Sequence, residues 1–209
     1  MTAKIFVHGS GHRADSWNAV LACLADGGDA LCPDLRDLLG GQPATYENLC
    51  AAFADYCGRI EGPLHLCGLS LGGILALQYA LDCPGKVRTL VLIGTPCKVP
   101  KIAFRLQNLV FRLLPDSLFR DMAFGKADTF ALGSTMKDLD FTARLQAVRC
   151  PTLVLCGEKD SANRKAAFAL AKGIPGAKLK ILKGAGHVVS EDCPQALADV
   201  LTAFYARHA

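Results

Sequence analysis

No run of about 18 consecutive apolar residues occurs in the 209-residue chain, so nothing in it reads as a membrane-spanning helix. Metal-ligand spacing is missing too: none of the ten cysteines forms a C-x-x-C pair or stands beside a histidine at a suitable separation. Basic residues exceed acidic ones only by 23 to 19, and they are scattered without interleaved aromatics, which gives no support to nucleic-acid binding. Internal repeats and low-complexity segments are also absent. The opening Met1-Thr2-Ala3-Lys4-Ile5-Phe6-Val7-His8-Gly9 reaches a glycine loop too early for a secretory signal peptide, so a cytoplasmic protein is expected. Its cysteines are then expected to be mostly buried, reduced and open to oxidation.

What the chain does have is apolar residues, 51% of the total, enough for one compact core. Their patterning predicts strands near 3–8, 28–32, 63–68, 87–93, 151–156 and 178–182. Helices are predicted between and after them near 16–26, 45–60, 71–82, 138–147, 161–173 and 191–206. Such alternation implies an α/β fold, a doubly wound and mostly parallel sheet of about six strands covered by helices on both faces.

The densest chemical signal is Gly68-Leu69-Ser70-Leu71-Gly72-Gly73, set between a predicted strand and a predicted helix. A serine between two such glycines sits on a tight turn at the top of a sheet, where the unpaired N–H groups of the following helix face the reacting centre. A serine hydroxyl is a weak nucleophile and needs a base. His187, in the loop after the last predicted strand, is the candidate, ahead of His8 and His12 near the first strand. The candidate acid is Asp160, with Glu158 its nearest rival; either carboxylate could instead be a solvated loop charge, and Asp160 could cap a helix. A loop running Phe6-Val7-His8-Gly9-Ser10 offers backbone N–H donors, so the N–H groups of Ser10 and Leu71 are the candidate oxyanion hole.

Through His8-Gly9, Trp17, Pro33-Asp34-Leu35-Arg36, the serine turn, Gly157 to Asp160 and Gly184 to His187, the chain resembles the α/β-hydrolase superfamily over nearly its whole length. The resemblance implies a Ser70, Asp160 and His187 triad that cleaves a small ester or thioester through an acyl-enzyme, with no metal and no organic cofactor. The same triad under a different lid could support a carbon–carbon bond hydrolase or lyase, and the fold could also persist as a low-turnover ligand-binding protein.

Two departures from larger members stand out. The His8-Gly9 strand begins almost at Met1, so a reduced sheet of order 2-1-3-4-5-6 is expected, its strand near residue 28 forming an edge open to solvent or a partner subunit. The core is expected at 1–96 and 137–209, and an insertion at 97–136 is where the resemblance places a lid. Its apolar residues, Phe111 and Phe119 among them, either pack on the core or line an acyl pocket. Lys98, Lys101, Arg105, Arg112, Arg120 and Lys126 in the same segment hint at an anionic substrate, or form a solvated lid surface.

Overall fold

In the computed structural model, residues 2–25, 30–99, 115 and 122–208 are described. Six parallel strands form one sheet of order β2-β1-β3-β4-β5-β6. They are β1 (Ala3–Val7), β2 (Ala30–Leu31), β3 (Leu64–Leu69), β4 (Val87–Ile93), β5 (Thr152–Gly157) and β6 (Lys178–Leu182). Eight α-helices surround it among the described residues: α1 (Asn18–Cys23), α2 (Leu35–Leu38), α3 (Tyr46–Arg59), α4 (Leu71–Asp82), α5 (Lys126–Met136), α6 (Ser161–Gly173), α7 (Val189–Asp192) and α8 (Pro194–Ala206). None of them is long and apolar enough to cross a membrane.

Successive side chains of a strand point to opposite faces, and the core divides along that alternation. Ile5, Leu66, Leu92 and Val154 pack with α3, α4 and α6 on one face. On the other, Phe6, Cys67, Val91 and Leu155 pack with Trp17, Val20 and the Leu197-Leu201-Phe204 stripe of α8. Burial on both faces explains why Leu90–Ile93 of β4 and Leu153–Cys156 of β5 read as continuous apolar runs. At the two edges the pattern changes. β2 holds two residues, and β6 turns Lys178 and Lys180 outward, which discourages further strand pairing.

Several boundaries differ from the sequence expectation. The helix expected at 16–26 divides into a 3-10 turn at Ala14–Trp17 and α1, which ends at Cys23. The one expected at 138–147 is a 3-10 helix covering Thr142–Ala147, preceded by α5, which lies inside the expected insertion. The one expected at 191–206 breaks at Cys193, because Pro194 has no N–H to continue a helix and starts α8 as its first residue instead. Where a cap is present the ends agree closely: the Thr45 hydroxyl accepts the Asn48 N–H at 3.2 Å and starts α3.

Two histidines belong to this framework. The His8 Nδ1–H donates to the Gly9 carbonyl at 2.8 Å while its Nε2 accepts the Leu35 N–H at 3.0 Å, so a neutral ring ties the end of β1 to α2. Burial holds its pKa below the ordinary value. His65 contacts the Thr89 hydroxyl at 2.8 Å; burial first, then Lys4 and Arg88, push its pKa down to about 4. Since both folded values lie below the unfolded value of about 6.5, the unfolded chain binds more protons in between, and these two groups stabilise the fold only above that pH. The melting temperature should therefore fall as pH drops from about 6.5 towards about 4, and His65→Asn should flatten part of that fall; thermal melts across this range check it.

All ten cysteines are free. Burial raises the thiols of Cys32 and Cys50 to about 11 and that of Cys57 to about 12, which keeps them protonated near neutrality. That works against the expected sensitivity to oxidation, because the thiolate is the reactive form.

Candidate active site

Ser70 lies at the junction of β3 and α4 with φ 54° and ψ −113°, the one non-glycine residue with positive φ among those described. The turn is held by the Ser70 N–H donating to the Ile93 carbonyl of β4 at 2.8 Å and by the Ile74 N–H closing onto the Ser70 carbonyl at 3.0 Å. Glycine at 68 and 72 is compulsory here. A Cβ on Gly68 would stand 2.3 Å from the Gly72 backbone, and one on Gly72 would stand 2.1 Å from the Val7 carbonyl oxygen of β1. The helix therefore presses onto two strands at once, with the first N–H groups of α4, Leu71 included, left without helical acceptors.

Asp160 follows β5 and His187 follows β6, and the sheet order makes those strand ends neighbours. The His187 Nδ1 lies 2.7 Å from Asp160 Oδ2, with the carboxylate side chain 4% exposed and the imidazole 38%. A carboxylate only accepts, so Nδ1 carries the proton and Nε2 is the free acceptor. Asp160 is also the helix cap that the sequence allowed, its Oδ1 accepting the Asn163 N–H at 3.2 Å and so starting α6. Glu158 has another partner: its Oε2 accepts the Gly184 N–H at 2.9 Å, bracing the loop that carries His187.

Gly94, at φ +52° just beyond β4, lets the pair cross the top of the sheet. A Cβ there would stand 2.9 Å from the His187 Nδ1 and 3.3 Å from Asp160 Oδ2.

Ser70, Ser10, Leu71, His12 and His187 line one cleft of about 550 Å³. Its far wall comes from α5, where Thr129, Leu132, Gly133 and Met136 share a face at helical spacing. Among the described lining residues the titratable side chains are the two histidines, with no lysine, arginine, aspartate or glutamate. Lys98, one of the cations expected to hint at an anionic substrate, is paired with Asp140 at 2.8 Å. Phe111 and Phe119 lie outside the described residues. No group of three or more potential ligands that could hold a metal occurs among the described residues.

Residues 5–200 match the family model described as "Alpha/beta hydrolase family". The chain belongs to that family. Over 243 residues this α/β hydrolase is 28% identical to a pimeloyl-[acyl-carrier protein] methyl ester esterase of Aromatoleum aromaticum, covering 94% of this chain and 97% of that one. Among solved structures it is similar to a thermophilic esterase from Thermogutta terrifontis, with TM-score 0.82, 24% identity and coverage of 100% and 91%. A hydrolase from Pseudomonas aeruginosa PA01 gives 0.83, 23%, 98% and 90%. Likeness to structures at that identity speaks to the fold alone. Family and relatives together support hydrolase activity.

Three parts of the candidate site carry little or no signature of their own in the sequence. A pocket wall from the 97–136 insertion is expected from its apolar residues, but Thr129, Leu132, Gly133 and Met136 are not singled out, because Gly133 and Ser134 dilute the apolar pattern of α5. Gly94 had no motif of its own, and Asn163 looked only like the first turn of a helix.

Proposed function

We propose that this α/β hydrolase is a serine hydrolase that cleaves a small ester or thioester with an uncharged acyl group. The observation that carries the reading is the 2.7 Å contact from the His187 Nδ1 to a nearly buried Asp160, at the rim of the cleft that also holds the strained Ser70. In this reading the Ser70 hydroxyl attacks the carbonyl carbon and its proton passes to His187 Nε2. The carbonyl oxygen gains the negative charge and accepts hydrogen bonds from the Ser10 and Leu71 N–H groups, which stabilise it. Collapse breaks the bond to the alcohol or thiol, which leaves with the proton from His187. Water then repeats the sequence on the acyl-enzyme and frees the acid and Ser70. Asp160 keeps the imidazole in the required tautomer and stabilises its cationic form.

The uncharged acyl group follows from the cleft, whose described lining has no side chain of fixed charge and whose α5 wall is largely apolar. The segment 97–136 serves as the lid in this proposal, and its α5 supplies that wall. Ten free thiols suit the reducing cytoplasm in which we place the protein.

A panel of p-nitrophenyl esters tests the reading. Acetate and butyrate esters should turn over faster than an ester of the same length ending in a free carboxylate. Met136→Ala should shift chain-length preference by up to about tenfold, the scale of one methylene in an apolar pocket, while leaving labelling of Ser70 intact. Preferred turnover of the carboxylate-tailed ester would refute the uncharged acyl group.

A further inference from the structure

We propose that Asn163 is a positioning residue for the reaction: its side-chain amide fixes the plane of the Asp160 carboxylate and so aims Oδ2 at His187. The proposal rests on the triad reading above.

The amide nitrogen lies 3.0 Å from Oδ1 and 3.0 Å from Oδ2, bridging both carboxylate oxygens. With the Asn163 backbone N–H on Oδ1 and His187 on Oδ2, each oxygen receives two donors. A carboxylate turning about its Cβ–Cγ bond would break all of them. The same nitrogen lies 3.2 Å from His187 Nδ1. Both atoms carry hydrogen, so this is an approach of two donors to one shared acceptor, Oδ2, and not a bond between them. The opposite orientation of the amide would set its oxygen against both carboxylate oxygens, which makes the nitrogen-inward orientation the one that satisfies every group.

Chemistry explains why a neutral amide suits this place. A lysine or arginine would supply equally good donors, yet its positive charge would cancel the field that Asp160 must exert on the imidazolium. A lone hydroxyl has one proton and cannot bridge two oxygens. The spacing Asp160-x-x-Asn163 puts the amide on the first turn of α6, above the residue that caps it, so helix start and site geometry share the same carboxylate.

The test compares Asn163→Ala, Asn163→Asp and Asn163→Leu with Asp160→Asn. Steady-state kinetics on the best ester of the panel are combined with proton NMR of the His187 Nδ1–H resonance and thermal melts. Alanine keeps the backbone capping bond and favours helix, so the melting temperature should hold. Its kcat should fall about 10- to 100-fold, the scale of a small misplacement of a catalytic group, with KM within about twofold. The Nδ1–H resonance should move upfield and exchange faster as the carboxylate turns.

Asn163→Asp sets a second carboxylate against Asp160 and should be at least as damaging; Asn163→Leu keeps the bulk but donates nothing and should fall as alanine does, whereas a packing role would leave the leucine variant near normal. Unchanged kcat and resonance in Asn163→Ala would overturn the proposal. So would a rise in KM alone, which would make Asn163 a substrate contact, or a loss of kcat matched by a loss of stability. If Asp160→Asn also leaves kcat and resonance intact, the triad reading itself fails. Loss in Asp160→Asn with none in Asn163→Ala removes only the positioning role.

Discussion

Ser70→Ala should abolish labelling by a fluorophosphonate and lower ester turnover by about 10⁴- to 10⁶-fold, the scale reached when a serine nucleophile is removed and only binding and the oxyanion donors remain. Stability should barely change. Serine and alanine both carry a Cβ, so each meets the same strain at φ 54°. Ser70→Gly separates the two effects, since glycine is unstrained there and should raise the melting temperature while turnover stays lost. Mass spectrometry of the labelled peptide with a melt of each variant checks all of this. Undiminished labelling in the alanine variant would remove Ser70 from the mechanism.

The second largest effect is expected at Asp160. Asp160→Asn should lower kcat about 10³- to 10⁴-fold, because an amide in place of the carboxylate leaves the imidazole free to adopt the wrong tautomer and its cation without a counter-charge. Asparagine is itself a good helix cap, so α6 should survive the change and the loss will be chemical. Glu158→Gln should cost little: its carboxylate accepts the Gly184 N–H, and a glutamine oxygen can still accept that hydrogen. Kinetics of the two variants side by side decide the matter, and a greater loss in Glu158→Gln would reassign the acid.

The sheet order, both ends of α4 and both ends of α6 were readable because each has a local cause: alternating two-faced strands, a glycine-bounded turn, and an aspartate cap. β2, expected near 28–32, stands at the expected edge and pairs Ala30 with Lys4 and Leu31 with Ile5. At the candidate site, the strained turn of Ser70 and the loop position of His187 were legible through their glycines. Asp160 was ambiguous between cap and acid since a carboxylate has two oxygens, and here Oδ1 caps α6 while Oδ2 contacts His187. Asn163 and Gly94 could not be read at all. Their importance arises only when the loop after β6 folds across the end of β4, a contact between distant parts of the chain.

The parallel sheet also bears on how the protein regains its working form. The loop of Ser10, the turn of Ser70, the glycine at 94, the carboxylate at 160 and the imidazole at 187 follow five different strands, and parallel neighbours meet only after long stretches of chain have closed. No fragment or half-formed sheet can hold all five. On dilution from denaturant, helical signal is expected to return before activity does, since helices form locally while the strand ends that carry these five groups meet only when the sheet is complete.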